Sequence, residues 1–373
     1  MLTLYKNLDC YTPKHIGKND ILICGNKIYR IQPGINIADE NLLENVYDCS
    51  GLYAFPGLID QHVHINGGGG ENGFASRTPE IDIDEIFRAG VTTLVGLLGA
   101  DSCTRSLNSL YAKAKSLEAG GLTTFVYTGC YTVPPVTFTG DIVRDLVLID
   151  KVVGVGEIAV SDHRSSHADR EHLLKLASDA HLGGLLGGKA GVVHLHIGDG
   201  KAGLSPLVQL IENSDLPVGQ FVPTHVNRNP KLFRQAAEYC RNGGNIDLTS
   251  GEEEGVSVPD ALQQLIDDGI ELSRVTVSSD SNGSIPDGGV GRIQSLFDDI
   301  FRCITEREIN PEAVVSLVTQ NAAKVLKIHP KKGTLREGSD ADILITDKSY
   351  KIRKLVCSGT VRYESQGCVN EEQ

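Results

Sequence analysis

Between residues 52 and 329, short apolar runs of strand length alternate with amphipathic segments of helical length. The runs end near His64, Leu98, Tyr127, Ile158, His196, His225, Thr249 and Ser279, with helix-like pieces over 81–89, 106–117, 170–181, 231–240 and 260–268 among them. Strands separated by helices in this way pair in parallel through crossover connections. The series therefore predicts an α/β fold of the (β/α)8 barrel type, which carries functional side chains at the carboxyl ends of its strands. A helix over 311–328, with Val315, Val318, Ala322 and Val325 at helical spacing, closes it.

The two chain ends read differently. Ile21-Leu22-Ile23-Cys24, a Gly25-Asn26 turn and Lys27-Ile28-Tyr29-Arg30-Ile31 predict a hairpin, and 341–346 and 352–356 predict further strands. Short hairpins are unstable alone, and a barrel brings its ends near each other. We therefore expect residues 1–55 and 330–373 to build a small β-sandwich beside a barrel of 56–329. The 373 residues suffice for both, and with no Trp and one Met the cores must be aliphatic.

Thirty-five basic against 48 acidic side chains leave a formal charge of −13, which argues against nucleic acid and against an anionic membrane surface. The nine cysteines are scattered and form no Cys-x-x-Cys pair, so neither a disulfide framework nor a cysteine zinc site is indicated. A reducing cytoplasm fits them. No stretch approaches the length of a membrane span, and the start lacks a secretory pattern.

The first barrel run, Gly57-Leu58-Ile59-Asp60-Gln61-His62-Val63-His64, delivers two histidines to its own end. In a strand, residues i and i+2 face one side, so both imidazoles can reach one metal ion. Single buried histidines are commonly just hydrogen-bonded, but two on one face before a glycine-rich loop favour ligation. His194 and His196 also share a face, and periodicity does not choose between them. His225 and Asp280 end later runs, where Asp280 could equally begin a turn. Gly67-Gly68-Gly69-Gly70 lacks the Lys-Ser/Thr of a phosphate loop and reads as a flexible loop or a close approach to a small substrate. Glu71, Arg164 and Arg228 would be unremarkable on a surface, and His163 and His167 fall in a polar loop.

Taken together, Gln61-His62-Val63-His64, Gly67-Gly68-Gly69-Gly70-Glu71, Arg77-Thr78-Pro79-Glu80, Thr128-Gly129-Cys130-Tyr131, Ser161-Asp162-His163-Arg164-Ser165, His196-Ile197-Gly198-Asp199, Pro223-Thr224-His225-Val226-Asn227-Arg228-Asn229 and Ser278-Ser279-Asp280-Ser281-Asn282-Gly283-Ser284 resemble the amidohydrolase superfamily. Within it, nearly the whole chain is similar to the isoaspartyl dipeptidase family. That resemblance implies a barrel beside a β-sandwich, two divalent metal ions of the zinc type, a small acidic dipeptide as substrate and a homo-oligomer. It favours His196 over His194 as a ligand. Where the family carries a carbamylated lysine at the end of the fourth strand, this chain has Glu157, fixed by the seven-residue step to Arg164. Lys151 cannot substitute, because six residues of strand displace it by roughly 20 Å. A glutamate still offers two oxygens to two ions.

The resemblance then implies that His62, His64, Glu157 and Asp280 hold one metal and His196 and His225 the other. Glu157 and a hydroxide would bridge them for attack on the β-aspartyl amide. Asp280 would shuttle the proton, Tyr131 polarise the carbonyl, Glu71 bind the ammonium group, and Arg164, Arg228 and Ser284 bind the carboxylates. Other chemistry remains open: a cyclic-amide hydrolase, deacetylase or deaminase reaction, or a non-catalytic oligomeric scaffold.

Overall fold

The structure is a computed structural model and describes residues 2–285 and 289–365, so residues 366–373 of the expected sandwich lie outside it. Six strands run parallel in chain order: Leu58–Val63, Val91–Gly96, Thr123–Thr128, Val152–Val160, Val192–Ile197 and Phe221–Thr224. Ile246–Thr249 and Val275–Ser278 form a further parallel pair. The circle closes on one side where Val63 bridges Ser281 and the His64 N–H donates to the Ser281 carbonyl at 2.9 Å. On the other side the Asn227 amide spans the gap, donating from Nδ2 to the Thr249 carbonyl at 2.9 Å and accepting the Thr249 N–H at 2.8 Å. A side chain thus supplies the ladder bonds that the backbone does not make.

Side-chain caps start the surrounding helices. Ser106, Asp141, Asp169, Asn229 and Ser257 each accept a backbone N–H from the first turn that follows. Leu107–Ala119 shows how these helices dock: Leu107, Leu110, Ala114 and Leu117 are buried at spacings of three and four, which forms one apolar stripe. Three helices not singled out in the sequence complete the ring: Ile142–Leu148, Ser205–Glu212 and Gln294–Thr305. The expected 311–328 helix is interrupted. Pro311–Ser316 widens into a π turn over Leu317–Asn321, where the Thr319 hydroxyl donates to the Val315 carbonyl and Asn321 Nδ2 donates to the carbonyls of Leu272 and Val275.

Ala322, Ala323 and Leu326 then press against Ile59, Val95, Tyr127, Val153, Val192 and Val222 in the barrel interior. Each fully buried aliphatic of this kind contributes about 1.5–3 kcal/mol. The amino-terminal mouth is thereby plugged, and the carboxyl ends of the strands face the cavity described below.

The chain ends share one eight-stranded sheet built around Leu2–Tyr11. His15–Cys24 and Lys27–Gln32 form the expected hairpin, with Cys24 opposite Lys27. Leu43–Asp48 pairs with the first half of Leu2–Tyr11, and Tyr53–Pro56 with its second half. Tyr53–Pro56 also takes Ile343–Thr346 as an antiparallel neighbour, followed by Ile352–Cys357 and Thr360–Glu364. The sheet wraps a core of Tyr5, Leu8, Ile21, Ile23, Ile343, Ile345 and Val356, which gives it its sandwich form. Among the described residues, no helix is long and apolar enough to cross a membrane.

Candidate metal centre and substrate pocket

Strand geometry brings the predicted ligands together. His62 lies one residue from the end of the first strand and His64 directly follows it, Glu157 lies in the fourth, His196 in the fifth, His225 directly follows the sixth, and Asp280 comes two residues after the eighth. His225 (φ 59°) and Asp280 (φ 50°) both sit in the left-handed region, where the chain leaves the strand sharply. Non-glycine residues hold that conformation only when their surroundings fix it.

Glu157 is central and fully buried. Its Oε2 faces Nε2 of His62 at 3.5 Å and Nε2 of His64 at 3.9 Å, whereas its Oε1 lies 2.7 Å from Nδ1 of His196 and 3.1 Å from Nε2 of His225. One carboxylate is shared between two pairs of imidazoles. Asp280 Oδ1 sits 3.2 Å from His62 Nε2 and 3.1 Å from His64 Nε2. Two groups have ligand atoms within 4.8 Å of one another: His62 with His64 and Asp280, and His62 with Glu157 and His225.

Several of these atoms fit a cation better than one another. His62 Nε2, Glu157 Oε2 and Asp280 Oδ1 are buried yet make no well-formed hydrogen bond, a costly arrangement unless something else neutralises them. Burial alone would raise the carboxyl pKa values of Glu157 and Asp280, but the imidazoles around them hold both well below the usual range. Conversely, burial disfavours charge on His62, while Glu157 and Asp280 push its pKa well above the ordinary value. Burial has the opposite outcome at His225, whose pKa falls to about 4, so that imidazole is neutral at pH 7 with a lone pair to offer. Imidazole and carboxylate donors in this number suit divalent first-row ions.

Lys151 is remote from this centre. It lies at the amino-terminal end of the fourth strand, where its Nζ pairs with Glu118 at 2.6 Å and donates to Thr124.

Above the centre opens a cavity of about 530 Å3 lined by Glu71, Tyr131, Arg164, Arg228, Asp280 and Ser284. All the residues expected to meet substrate therefore share one space. Burial, reinforced by Glu157, raises the Tyr131 phenol far above its ordinary pKa, so it stays a hydrogen-bond donor; its hydroxyl lies 2.9 Å from His196 Nδ1. Arg164 Nη1 donates to Glu71 Oε1 at 3.2 Å, and the Ser284 hydroxyl donates to the same carboxylate at 3.3 Å. Arg228 Nη1 donates to the Ile197 carbonyl at 3.0 Å. His163 is 89% exposed at the rim of the cavity, with its Nδ1 3.6 Å from Asp162 Oδ1.

His194, set aside as a ligand in favour of His196, is a deeper structural residue: its Nε2 lies 2.8 Å from Nδ1 of His62 and its ring stacks on Tyr127, so it braces His62. Two residues escaped sequence reasoning. Asp162 Oδ2 lies 2.9 Å from His196 Nε2. Gly99 admits the neighbouring rings, since a Cβ there would lie 2.8 Å from His64 and 3.7 Å from Tyr131.

Comparison with known proteins places these features in context. The amidohydrolase family model matches residues 53–362. Two crystal structures of beta-aspartyl dipeptidase from the thermophilic, keratin-degrading Fervidobacterium islandicum AW-1 are similar over the full length. One, in complex with the beta-Asp-Leu dipeptide, is 44% identical and covers 98% of this chain and 97% of its own, with a TM-score of 0.92. The other is 43% identical and covers 100% of both chains, with a TM-score of 0.92. Dihydropyrimidinase from Brevibacillus agri shares the fold, at 18% identity and a TM-score of 0.67 over 97% of this chain and 95% of that one. A dihydroorotase from Lactobacillus johnsonii is 26% identical over 231 residues, 58% of this chain, so the match spans about half (49%) of that curated relative.

Proposed function

The chain belongs to the amidohydrolase family, and from that premise we propose that it is a metal-dependent dipeptidase that hydrolyses β-aspartyl dipeptides. The observation that carries the reading is the pairing of a split carboxylate with a charge-matched pocket. Glu157 turns one oxygen to His62 and His64 and the other to His196 and His225, beneath a cavity presenting Glu71, Arg164 and Arg228. The full-length similarity to the Fervidobacterium dipeptidase seen with beta-Asp-Leu supports the same substrate class.

On this reading His62, His64, Glu157 and Asp280 would hold one zinc ion, and His196 and His225, with Glu157, would hold a second. When bound, the ions supply Lewis acidity, polarising the scissile carbonyl and acidifying the attacking water. Glu71 takes the substrate's ammonium group, exchanging Arg164 for it. The freed guanidinium nitrogen of Arg164, with Arg228 and Ser284, takes the carboxylates, which suit forked donors. Tyr131 donates its phenolic hydrogen to the carbonyl oxygen. Asp280, ionised in the resting site, accepts a proton from the attacking water at its carboxylate, is neutral while it holds it, and returns it to the leaving amine. An α-linked isomer presents its amine and carboxylate at the wrong separation for this charge set. The reading extends to a cytoplasmic homo-oligomer, which light scattering on the purified protein tests at the level of assembly.

The deciding experiment is turnover of β-Asp-Leu against α-Asp-Leu by zinc-reconstituted protein, detecting released leucine. Selective cleavage of the β isomer supports the proposal. No cleavage of either with two ions bound would overturn it and turn attention to cyclic amides.

A further inference from the structure

We propose that Asp162 is a positioning residue that selects the metal-binding tautomer of His196 and, through the same carboxylate, locks the substrate-binding fork of Arg164. This rests on the dipeptidase reading for the role of Arg164, but not for that of His196.

The argument starts from His196 Nδ1, which points at Glu157 Oε1 from 2.7 Å. For Nδ1 to hold a metal it must carry a lone pair, so the ring hydrogen must sit on Nε2. The surroundings of Nε2 do not favour this by themselves. Arg164 Nη2 lies 3.1 Å away and Arg228 Nη1 3.4 Å away, and both are obligate donors. Two guanidiniums around a ring nitrogen favour a lone pair there, which would put the hydrogen on Nδ1 and block it. Asp162 Oδ2, at 2.9 Å, is the acceptor that reverses the preference.

The same carboxylate grips Arg164 three times. Oδ1 accepts the Arg164 backbone N–H at 2.7 Å and Nε–H at 2.9 Å, and Oδ2 accepts from Nη2 at 2.9 Å. Only Nη1 is left facing the pocket, where it meets Glu71. Asp162 is itself 5% exposed. Burial would raise its pKa, but the bonds from His196 and Arg164 hold it far below the usual carboxylate range. Its room is made by the strand end that carries His196: a Cβ on Gly198 would lie 2.5 Å from both Cβ and Oδ2 of Asp162.

Asp162→Asn keeps the shape but removes the charge and one acceptor, so it cannot serve His196 and Arg164 together. The test dialyses zinc-loaded wild type and Asp162→Asn against graded chelator and measures retained zinc, then compares kcat and KM for β-Asp-Leu at saturating zinc. The expected result is one ion held as in wild type and one held 10–100-fold more weakly, the usual effect of losing an outer partner. KM should also rise more than tenfold, with a smaller change in kcat. His172→Gln, on the exposed face of the helix that follows and outside the cavity, should change neither. Wild-type zinc retention, or an unchanged KM, in Asp162→Asn would overturn the proposal. If wild type itself does not cleave the dipeptide, the function proposed above fails, and zinc retention alone still decides the role of Asp162. Should Asp162→Asn not fold, Gly198→Ala displaces the carboxylate without removing its charge and must weaken the same ion; undiminished retention there also refutes the idea.

Discussion

Glu157 is shorter than a carbamylated lysine, yet its two oxygens already divide between the histidine pairs that a bridging ligand must serve. It needs no carbon dioxide to become an anion, and its neighbours keep it ionised. Glu157→Gln retains the volume but loses the charge, so zinc content should fall together with activity, the latter by at least about 100-fold; unchanged metal and turnover would end the bridging role. Bicarbonate added to wild type during zinc reconstitution should leave turnover unchanged, and stimulation would mean that some carbamate is involved. His62, His64, Glu157 and Asp280 were legible in the sequence because strand ends carry them and strand periodicity is regular. The role of Asp162 and the contact that His194 makes with His62 were not. A loop Asp beside His-Arg has no periodic signature, and the contact between His194 and His62 joins residues 132 apart that meet only once the barrel closes.

Among the elements, the glycine-rich loop that leads to Glu71 is held from outside. The Arg105 guanidinium donates to the carbonyls of Asn66, Gly68 and Thr78, and the Thr78 hydroxyl accepts the Gly68 N–H at 2.6 Å. Gly67 adopts φ +79°, and a Cβ there would meet the Thr78 carbonyl at 2.4 Å and the Arg105 guanidinium beyond it. Of the two sequence readings, a flexible loop or a close approach to a small substrate, these bonds speak against the first: the loop is an organised turn. Arg105→Met strips donors from buried carbonyls, at a cost of about 1–3 kcal/mol for each left unsatisfied. We expect a KM increase of roughly tenfold with kcat changed much less, since in the proposed function Glu71 positions substrate and leaves the reacting atoms alone. Equal losses in both constants would place the loop in the chemical step instead. The helices were unequally legible for a related reason. Ile142–Leu148 is seven residues long, too short for a helical period to repeat clearly. Gln294–Thr305, by contrast, did carry the signal in Leu296, Phe297, Ile300 and Phe301.

For the molecule as a whole, the question is what fastens the end-strand sheet to the barrel. That both chain ends supply strands was readable from their alternation and from the instability of lone hairpins. The ionic pin between the two parts was not readable, because it depends on three-dimensional proximity. Lys332 is buried, donates to Thr123 at the start of a barrel strand at 2.7 Å, and pairs with Asp342 at 2.5 Å and Asp340 at 3.0 Å; Lys27 closes the cluster on Asp340 at 2.6 Å. Burial opposes the charge on Lys332, but Asp342 and Asp340 raise its pKa above the ordinary value. Burial likewise opposes ionisation of Asp340, while Lys332 and Lys27 lower its pKa. The raised lysine contributes stability in full below its unfolded pKa of about 10.4 and loses it as pH climbs through the higher folded value. The lowered aspartate contributes above its unfolded pKa of about 3.9 and loses it as pH falls through the folded one. The cluster is thus intact across the neutral range and fails at both extremes. Lys332→Met removes the cation and leaves the buried Asp342 without one, while Asp340 keeps Lys27, which should cost about 3 kcal/mol in urea unfolding at pH 7. Toward acid pH the gap between mutant and wild type should narrow, as protons neutralise the carboxylate left without its cation. A mutant as stable as wild type at pH 7 would mean that packing, and not this ion cluster, joins the sheet to the barrel.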